Sequence, residues 1–154
     1  MEIAEEIKRE NFKNPYQKAA INLIYTSNWL SEQVRELLAE EGLTNQQFNV
    51  LRILRGSNPS PLSTLQIRER MLDKMSDTSR IVDRLVKKKL ALKKTCQSDK
   101  RLVDVSITKT GLTMLEHIDQ KEDRMYQNLY QLSEEDAELL SALCDKIRSG
   151  GKST

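Results

Sequence analysis

The chain has 154 residues, of which 38% are apolar and 31% are charged, and its formal net charge is +2. This length fits a single domain, and this composition excludes a disordered chain. No apolar run approaches the roughly 20 residues of a membrane span, and the acidic N-terminus lacks a signal-peptide pattern. We therefore expect one globular, cytoplasmic domain over residues 1–154, with no membrane contact.

Two helices are expected at the start of the chain. A short amphipathic helix is predicted over residues 1–12, and a long helix over residues 14–40. Asn14 supplies the N-cap of the long helix, and Pro15 occupies its first helical position. The long helix carries two apolar stripes, and its own domain can bury only one of them. The second stripe therefore needs another partner.

Capping boxes predict the start of the next two helices. Thr44 with Gln47 begins the first, and Ser63 with Gln66 begins the second, which is short and ends near Leu72. In each pair the two side chains satisfy N–H groups that the first helical turn leaves without partners.

A basic amphipathic helix follows after a turn of a few residues, with Ser76 as its expected N-cap. A short helix, a turn and a second helix with a polar N-terminal face form the helix-turn-helix pattern. The side chains expected on that outer face are Thr78, Ser79, Arg80 and Arg84.

Alternating apolar and polar residues then predict a β-hairpin around a polar turn over residues 97–101. A period of two places alternate side chains on opposite faces of a strand. The apolar members of the pattern are Leu90, Leu92, Val103, Val105 and Ile107.

Two more helices are expected after the hairpin. Thr108 caps a long helix that reaches about Leu129, and Ser133 caps a last helix that ends before Gly150. Both have large apolar faces, and few residues remain in the chain to cover them. A homodimer joined through both terminal regions would bury these faces.

Positive charge is concentrated between Lys74 and Arg101. This stretch has ten Lys or Arg against three acids, a net charge of +7, whereas the whole chain carries only +2. Charge gathered on one helix and one hairpin predicts a surface for a polyanion, and double-stranded DNA is the obvious candidate.

The sequence lacks the patterns of an enzyme or a metal site. His117 is the only histidine, so one chain cannot form a Ser/His/Asp triad or a histidine metal cluster. Cys96 and Cys144 are interpreted as reduced structural thiols, although the basic surroundings of Cys96 leave a redox-sensitive thiol as a minor hypothesis. We expect no enzymatic activity, no cofactor and no metal.

Four segments carry a family resemblance: LTNQQFNVLRIL, STLQIRERM, SDTSRIVDRLVKKKL and SDKRLVDVSITKTG. They resemble the multiple-antibiotic-resistance regulator (MarR) family of winged helix-turn-helix transcription factors. The most specific piece is Asp99-Lys100-Arg101, followed at fixed distance by Ile107-Thr108 and by Gly111.

The resemblance implies a mainly α fold with a small β-hairpin, the wing. A winged helix-turn-helix over residues 44–108 would lie between dimerisation helices at 14–40 and 109–148. It also implies a triangular homodimer on double-stranded DNA, with each recognition helix in a major groove and each wing in the flanking minor groove.

The resemblance assigns roles to particular residues. Arg101 matches the wing-tip arginine, and Asp99 matches an acid that orients the wing. From its charge alone, Lys87 is expected to attract phosphate, and Lys100 is a further predicted DNA-binding residue. The residues that match recognition-helix contacts are Ser76, Thr78, Ser79, Arg80 and Arg84.

The leading functional prediction is a transcription regulator that binds a pseudo-palindromic operator and is released by a small-molecule effector. Tyr25, Trp29 and Met71 are candidates for an effector pocket, although residues of these types at helical spacing usually belong to the core. The alternative is an interaction module in which the winged domain binds an acidic protein partner without sequence-specific DNA binding.

One position departs from the family pattern. Lys89 stands where the family usually has glycine, between the recognition helix and the first wing strand. A left-handed backbone there would cost a non-glycine residue about 1 kcal/mol. The angle of the wing is therefore left open by the sequence.

Overall fold

The structure is a computed structural model that describes residues 2–9, 11–95 and 103–150, and it divides into two compact units, Met1–His117 and Ile118–Thr154. Over these residues it is mainly helical with one small sheet. Within them no helix combines the length and apolarity that crossing a membrane requires. The elements are α1 (Ile3–Glu6), α2 (Pro15–Ala39), α3 (Asn45–Ser57), β1 (Leu62–Ser63), α4 (Thr64–Arg70), α5 (Thr78–Lys87), β2 (Ala91–Thr95), β3 (Val103–Ile107), α6 (Lys109–Asp119), α7 (Glu122–Tyr126), a 3₁₀ helix (Leu129–Gln131) and α8 (Glu134–Gly150).

The start of the long helix is as predicted. The Asn14 side chain accepts a hydrogen bond from the Gln17 N–H at 2.9 Å, and Pro15 is the first helical residue. The preceding helix α1 is shorter than the predicted 1–12, because Lys8 adopts a left-handed conformation with φ +53° that a helix cannot continue through.

Both predicted capping boxes are confirmed. The Gln47 N–H donates to Thr44 Oγ1 at 3.2 Å, and the Gln66 N–H donates to Ser63 Oγ at 3.2 Å. Helix α4 ends two residues earlier than expected. The backbone N–H of Leu72 leaves the helix and donates to Asn49 Oδ1 of α3 at 2.9 Å.

Helix α5 begins one residue later than predicted. Its N-cap is Asp77, whose side chain accepts from the Arg80 N–H, whereas the Ser76 hydroxyl donates to Asp73 Oδ2 at 2.7 Å in the preceding turn. Thr78 lies on the same face of α5 as the buried Val82 and Leu85, four and seven residues before them, so it is buried and its hydroxyl contacts the Met71 sulfur at 3.3 Å. The expectation that Thr78 is exposed was therefore wrong.

The three strands form an antiparallel sheet in the order β1-β3-β2. The predicted hairpin is present, but Ala91 is its buried residue, paired with Ile107, while Leu92 is half exposed. Leu90 belongs to the turn before β2, so the strand alternation starts one residue later than the sequence suggested. The two-residue strand β1 was not predicted.

The core of the first unit lies between the helices α2 to α6 and one face of the sheet. Contacts join α3 to α2, α4, α5 and β3, so α3 is central to it. The core residues with almost no exposed surface are Leu38, Val50, Leu51, Leu54, Ile67, Met71, Val82, Leu85, Val105 and Leu115.

The second unit contains α7, the 3₁₀ helix and α8. The predicted helix from Thr108 to about Leu129 is interrupted after Asp119, because Lys121 has a non-helical backbone (ψ +6°) and acts as the N-cap of α7. Ser133 caps α8 as predicted, since its Oγ accepts from the Asp136 N–H at 3.1 Å. Helix α8 buries no residue within the described chain.

Candidate nucleic-acid interface

Helix α5 places a polar face on the surface of the first unit. Its inner face is anchored by Val82 and Leu85, which have 1% and 0% of their surface exposed. The spacing of three residues keeps these anchors on one side of the helix. Four predicted DNA-binding residues lie on the exposed side: Ser79, Arg80, Arg84 and Lys87.

The turn between α4 and α5, residues 71–77, is held by one carboxylate. Asp73 accepts hydrogen bonds from the Ser76 hydroxyl at 2.7 Å and from the Met75 N–H at 3.0 Å, and these bonds, with one from Gln46, lower its pKa. Ser76, a predicted DNA contact, is therefore half buried and used to build the turn. The turn fixes where α5 begins.

A shallow, open groove runs beside the start of α5. Arg80 and Arg84 line one side, and the first turn of α3 lines the other. The Asp77 carboxylate lies in the same groove, where its Oδ1 accepts from the Arg80 N–H at 3.1 Å. The lining residues are Thr44, Gln46, Gln47, Ser76, Asp77, Arg80, Ile81 and Arg84.

Helix α5 ends in a left-handed turn at Lys89, whose φ is +61°. The Lys89 N–H donates to Val86 O at 2.9 Å, and the Leu90 N–H donates to Leu85 O at 3.0 Å, the two bonds of a Schellman motif. Lys89 therefore adopts the left-handed conformation that favours glycine, and α5 ends in this turn even though the residue is a lysine.

Residues after the wing hold this turn in place. The Thr108 hydroxyl donates to Lys89 O at 2.8 Å and accepts from the Gly111 N–H at 3.0 Å. A Cβ on Gly111 would overlap the carbonyl oxygen of Leu90, so only glycine permits this close approach. The end of α5 and the start of α6 are therefore fixed against each other.

An ion pair joins α5 to the wing. Lys93 Nζ on β2 lies 2.8 Å from Asp83 Oδ1 on α5, and this hydrogen bond lowers the pKa of Asp83. Sequence reasoning missed Asp83. Nothing in the spacing of residues 83 and 93 shows that they meet, because one lies on a helix and the other on a strand.

The predicted wing-tip residues Asp99, Lys100 and Arg101 lie outside the described residues, as does Cys96. The described wing strand β2 exposes Lys94 as well as Lys93 at its surface. The assignments at the tip therefore stay predictions.

The three candidate pocket residues differ in their surroundings. Met71 is fully buried beneath Thr78, whereas Tyr25 and Trp29 are about 40% exposed on α2. The Tyr25 hydroxyl donates to Glu6 Oε2 at 2.9 Å, and this bond raises the pKa of the tyrosine. None of the three lines the groove beside α5 or the cavity beside α6.

The second of these cavities lies beside α6. His117 Nδ1 lies 3.3 Å from the Glu41 carboxylate at its edge. Across residues 2–9, 11–95 and 103–150, no three His, Cys, Asp or Glu side chains are placed to hold a metal ion. The lining residues of this cavity are Glu41, Lys109, Thr110, Thr113, Met114 and His117.

Comparison with known families identifies the domain that contains this surface. The model of the MarR family matches residues 43–103, which run from the start of α3 through α5 and β2 to the first residue of β3. The chain carries a MarR-family domain. The predicted family resemblance is thereby confirmed.

Several relatives align with most of the chain. HTH-type transcriptional regulator MhqR of Bacillus subtilis is 24% identical over 124 residues, which are 80% of this chain and 84% of that protein. The structure of a MarR transcription factor from Planctomyces limnophilus is 28% identical, covers 88% of this chain and 98% of that one, and has a TM-score of 0.68.

Two similar structures contain DNA. The S. aureus MepR–DNA complex has a TM-score of 0.77 at 24% identity, and covers 91% of this chain and 99% of that chain. A cysteine-to-serine mutant of E. coli MarR with operator DNA has a TM-score of 0.78 at 21% identity, with coverage of 90% and 99%. These likenesses confirm the predicted mainly α fold around a MarR-family winged helix-turn-helix.

Proposed function

We propose that this protein is a DNA-binding transcriptional regulator that acts as a homodimer on a pseudo-palindromic operator. Helix α5 enters a major groove, and the wing approaches the neighbouring minor groove. The chemistry is binding rather than catalysis, and the family's named relatives are regulators rather than enzymes.

The exposed face of α5 carries this proposal. Arg80 and Arg84 project from a helix whose opposite side is locked into the core by Val82 and Leu85. An α-helix fits the major groove of B-DNA, and arginine is the residue that most often reads guanine edges there. The packed core therefore holds Arg80 and Arg84 on the exposed face of a helix that fits a major groove.

We assign the residues to two classes of contact. Ser79, Arg80 and Arg84 are placed to reach base edges, whereas Lys87 contributes phosphate attraction. Lys100 keeps its predicted role in DNA binding, Arg101 its role in the minor groove, and Asp99 its role in orienting the wing. Thr78 is removed from the DNA contacts because its side chain is buried.

Support for the complex comes from the relatives with DNA. MepR and MarR were captured with DNA and with operator DNA respectively. Their fold is the one described above, and residues 43–103 fall in the matching family domain. We extend DNA binding to this chain on that basis.

Dimerisation and effector control are part of the same proposal. Helices over 14–40 and 109–148 carry exposed apolar side chains that a second copy would cover. An effector would act by changing the separation of the two α5 helices, because both must match one duplex.

Two alanine substitutions test this function. Arg80→Ala should lower discrimination between a selected duplex and a scrambled one by about tenfold, the scale of a single bidentate base contact.

Arg101→Ala should weaken binding and reduce the slope of log affinity against log salt by about one unit for each phosphate that the arginine neutralises in each subunit. Fluorescence anisotropy at several salt concentrations measures both quantities.

Arg35→Ala is the matched control, since it removes one positive charge from α2, where Arg35 pairs with Glu32. It should change neither the discrimination nor the salt slope.

The alternative function is an acidic protein partner bound by the winged domain. It predicts that duplex DNA binds without any sequence preference and that neither Arg80→Ala nor Arg101→Ala affects discrimination.

A further inference from the structure

Two helices of the winged domain begin with reciprocal hydrogen bonds. In α3 the N-cap Thr44 N–H donates to the side chain of Gln47, at 3.2 Å. In α4 the Ser63 N–H donates to the side chain of Gln66, at 2.8 Å. In both helices the third residue turns its side chain back on the cap, so its carbonyl oxygen is already used.

Helix α5 replaces this arrangement with a charged one. Its N-cap is Asp77, and the residue in the glutamine position is Arg80. A guanidinium has no acceptor, so it cannot complete a capping box. Instead Asp77 contacts the same arginine twice: Oδ1 accepts from the Arg80 backbone N–H at 3.1 Å, and Oδ2 lies 3.7 Å from Arg80 Nε.

The negative charge of Asp77, at the start of a helix proposed to contact DNA, requires an explanation. The Asp77 side chain is 62% exposed, at the end of the helix that we propose enters DNA. A carboxylate there repels phosphate, and serine would cap the helix about equally well without a charge. A carboxylate at a cap is attracted both by the positive end of the helix dipole and by the guanidinium of Arg80, and only the second attraction acts on the proposed DNA-reading face.

The contact with Asp77 uses only part of the Arg80 guanidinium. Arginine has five N–H donors, and the contact with Asp77 involves Nε. The Arg80 side chain is 74% exposed, and within the described part of the chain no second partner holds it. The contact at Nε therefore leaves the two terminal amino groups, which can form a bidentate contact with guanine, available to DNA.

We propose that Asp77 is a specificity-determining positioning residue. It caps α5 and, through the same carboxylate, orients Arg80 so that the guanidinium reaches a base edge with less loss of side-chain freedom on binding. This proposal rests on the proposed function, because it assigns a role within the DNA-reading face.

Asp77→Asn is the decisive variant, because asparagine caps a helix as well as aspartate but carries no charge. The probes are a duplex that the wild-type protein selects from a randomised library, its single base-pair variants, and a scrambled duplex. We expect discrimination between the selected and scrambled duplexes to fall by about three- to tenfold, within the range of a weakened base contact. Affinity for the scrambled duplex should stay equal or rise, since a negative charge is removed.

Three further variants separate positioning from other roles. In an Arg80→Ala background, Asp77→Asn should cause no additional loss, because the group it orients is gone. Glu69→Gln removes one exposed acid from the neighbouring helix α4 and should leave discrimination unchanged. Asp77→Ser, which keeps a cap without a carboxylate, should behave like Asp77→Asn, and far-UV circular dichroism checks that both variants are folded.

Three results would overturn the proposal. Discrimination unchanged within twofold in Asp77→Asn would reduce the residue to a helix cap. An equal loss in the Arg80→Ala background would mean that Asp77 acts without the arginine. A wild-type protein that selects no duplex over the scrambled one would reject the proposed function itself, and is recognised before any variant is made.

Discussion

Lys89 occupies a backbone conformation that costs most side chains free energy. Its φ of +61° closes the Schellman turn after α5, and the Thr108 hydroxyl binds its carbonyl oxygen. The corresponding turn after α2 uses Gly42, with φ +66°. Helix α1 ends in the same way at Lys8, with φ +53°, so the described residues contain this motif with glycine once and with lysine twice.

Lys89→Gly should stabilise the protein, because glycine adopts this conformation without the steric cost of a Cβ. We expect the free energy of unfolding to rise by about 0.5–1 kcal/mol, after allowing for the greater freedom of glycine in the unfolded chain. Urea denaturation measures the change. Lys87→Gly is the matched control: it replaces the last residue of α5, which has a right-handed helical backbone, and should lower the free energy of unfolding by about 0.5–1 kcal/mol. Equal destabilisation by both substitutions would contradict this account.

At the scale of elements, the connection between α5 and the wing depends on side chains as well as on the hairpin. The Asp83–Lys93 pair joins helix to strand, and the Thr108 hydroxyl joins the end of α5 to the start of α6. Each exposed contact is weak, since surface ion pairs contribute little in water. Their combined effect is on geometry: they fix the angle between two surfaces that must fit neighbouring grooves.

The pKa of Asp83 provides a direct test of the ion pair. Lys93 lowers this pKa below its ordinary value, so the folded state binds the proton less readily than the unfolded state. The contribution of the pair is therefore complete above about pH 4, the ordinary pKa of an aspartate, and is lost as the pH falls through the lowered value. NMR titration of the Asp83 carboxyl should show its pKa rising in Lys93→Met. An unchanged pKa would mean that the pair does not persist in solution, and Lys94→Met, on the same strand, serves as the control.

Sequence reasoning located most elements because their ends carry local signals. Asn14, Thr44 and Ser63 each cap a helix within three residues of themselves, and such contacts can be read from spacing. The two-residue strand β1 has no periodicity of its own. It is defined only by pairing with β3, whose partner residue Val105 lies far along the chain.

Two errors at the candidate site concern the start of α5. Ser76 and Asp77 are both good N-caps, and the structure uses Asp77 while the Ser76 hydroxyl donates to Asp73. Thr78 is buried because it shares the inner face of α5 with Val82 and Leu85. In β2, similarly, the turn takes up Leu90, so Ala91 faces the core. A shift of one residue exchanges the faces of a strand, and no local pattern prevents it.

At the scale of the whole molecule, each unit presents apolar side chains to solvent. In the second unit the exposed residues of α8 recur at helical spacing along one side: Leu139, Leu140, Leu143 and Ile147. In the first unit α2 exposes Tyr16, Leu23, Ile24, Tyr25 and Trp29. So many exposed apolar side chains on single helices are typical of interface elements, which is the basis of the proposed homodimer.

Leu143→Asp should therefore dissociate the dimer, because a charge would be buried in the interface without a partner. Sedimentation velocity should show a species near the 17.8 kDa mass of one chain, and affinity for a selected palindromic duplex should fall. Ser141→Asp introduces the same residue two positions away on α8 and should remain dimeric. A wild-type protein that already sediments as a folded monomer at micromolar concentration would refute the dimer.

The strand order β1-β3-β2 also has a consequence for the behaviour of the protein at high concentration. Over the described residues β2 pairs with β3 alone, so its other side is a free edge with unpaired backbone N–H and C=O groups. Such an edge can add a strand from another molecule and begin aggregation. Lys93 and Lys94 lie on that strand, and lysines on an exposed edge oppose the approach of a second, equally charged copy. The positive charge of the wing thus protects the folded protein against β-aggregation even when no DNA is present.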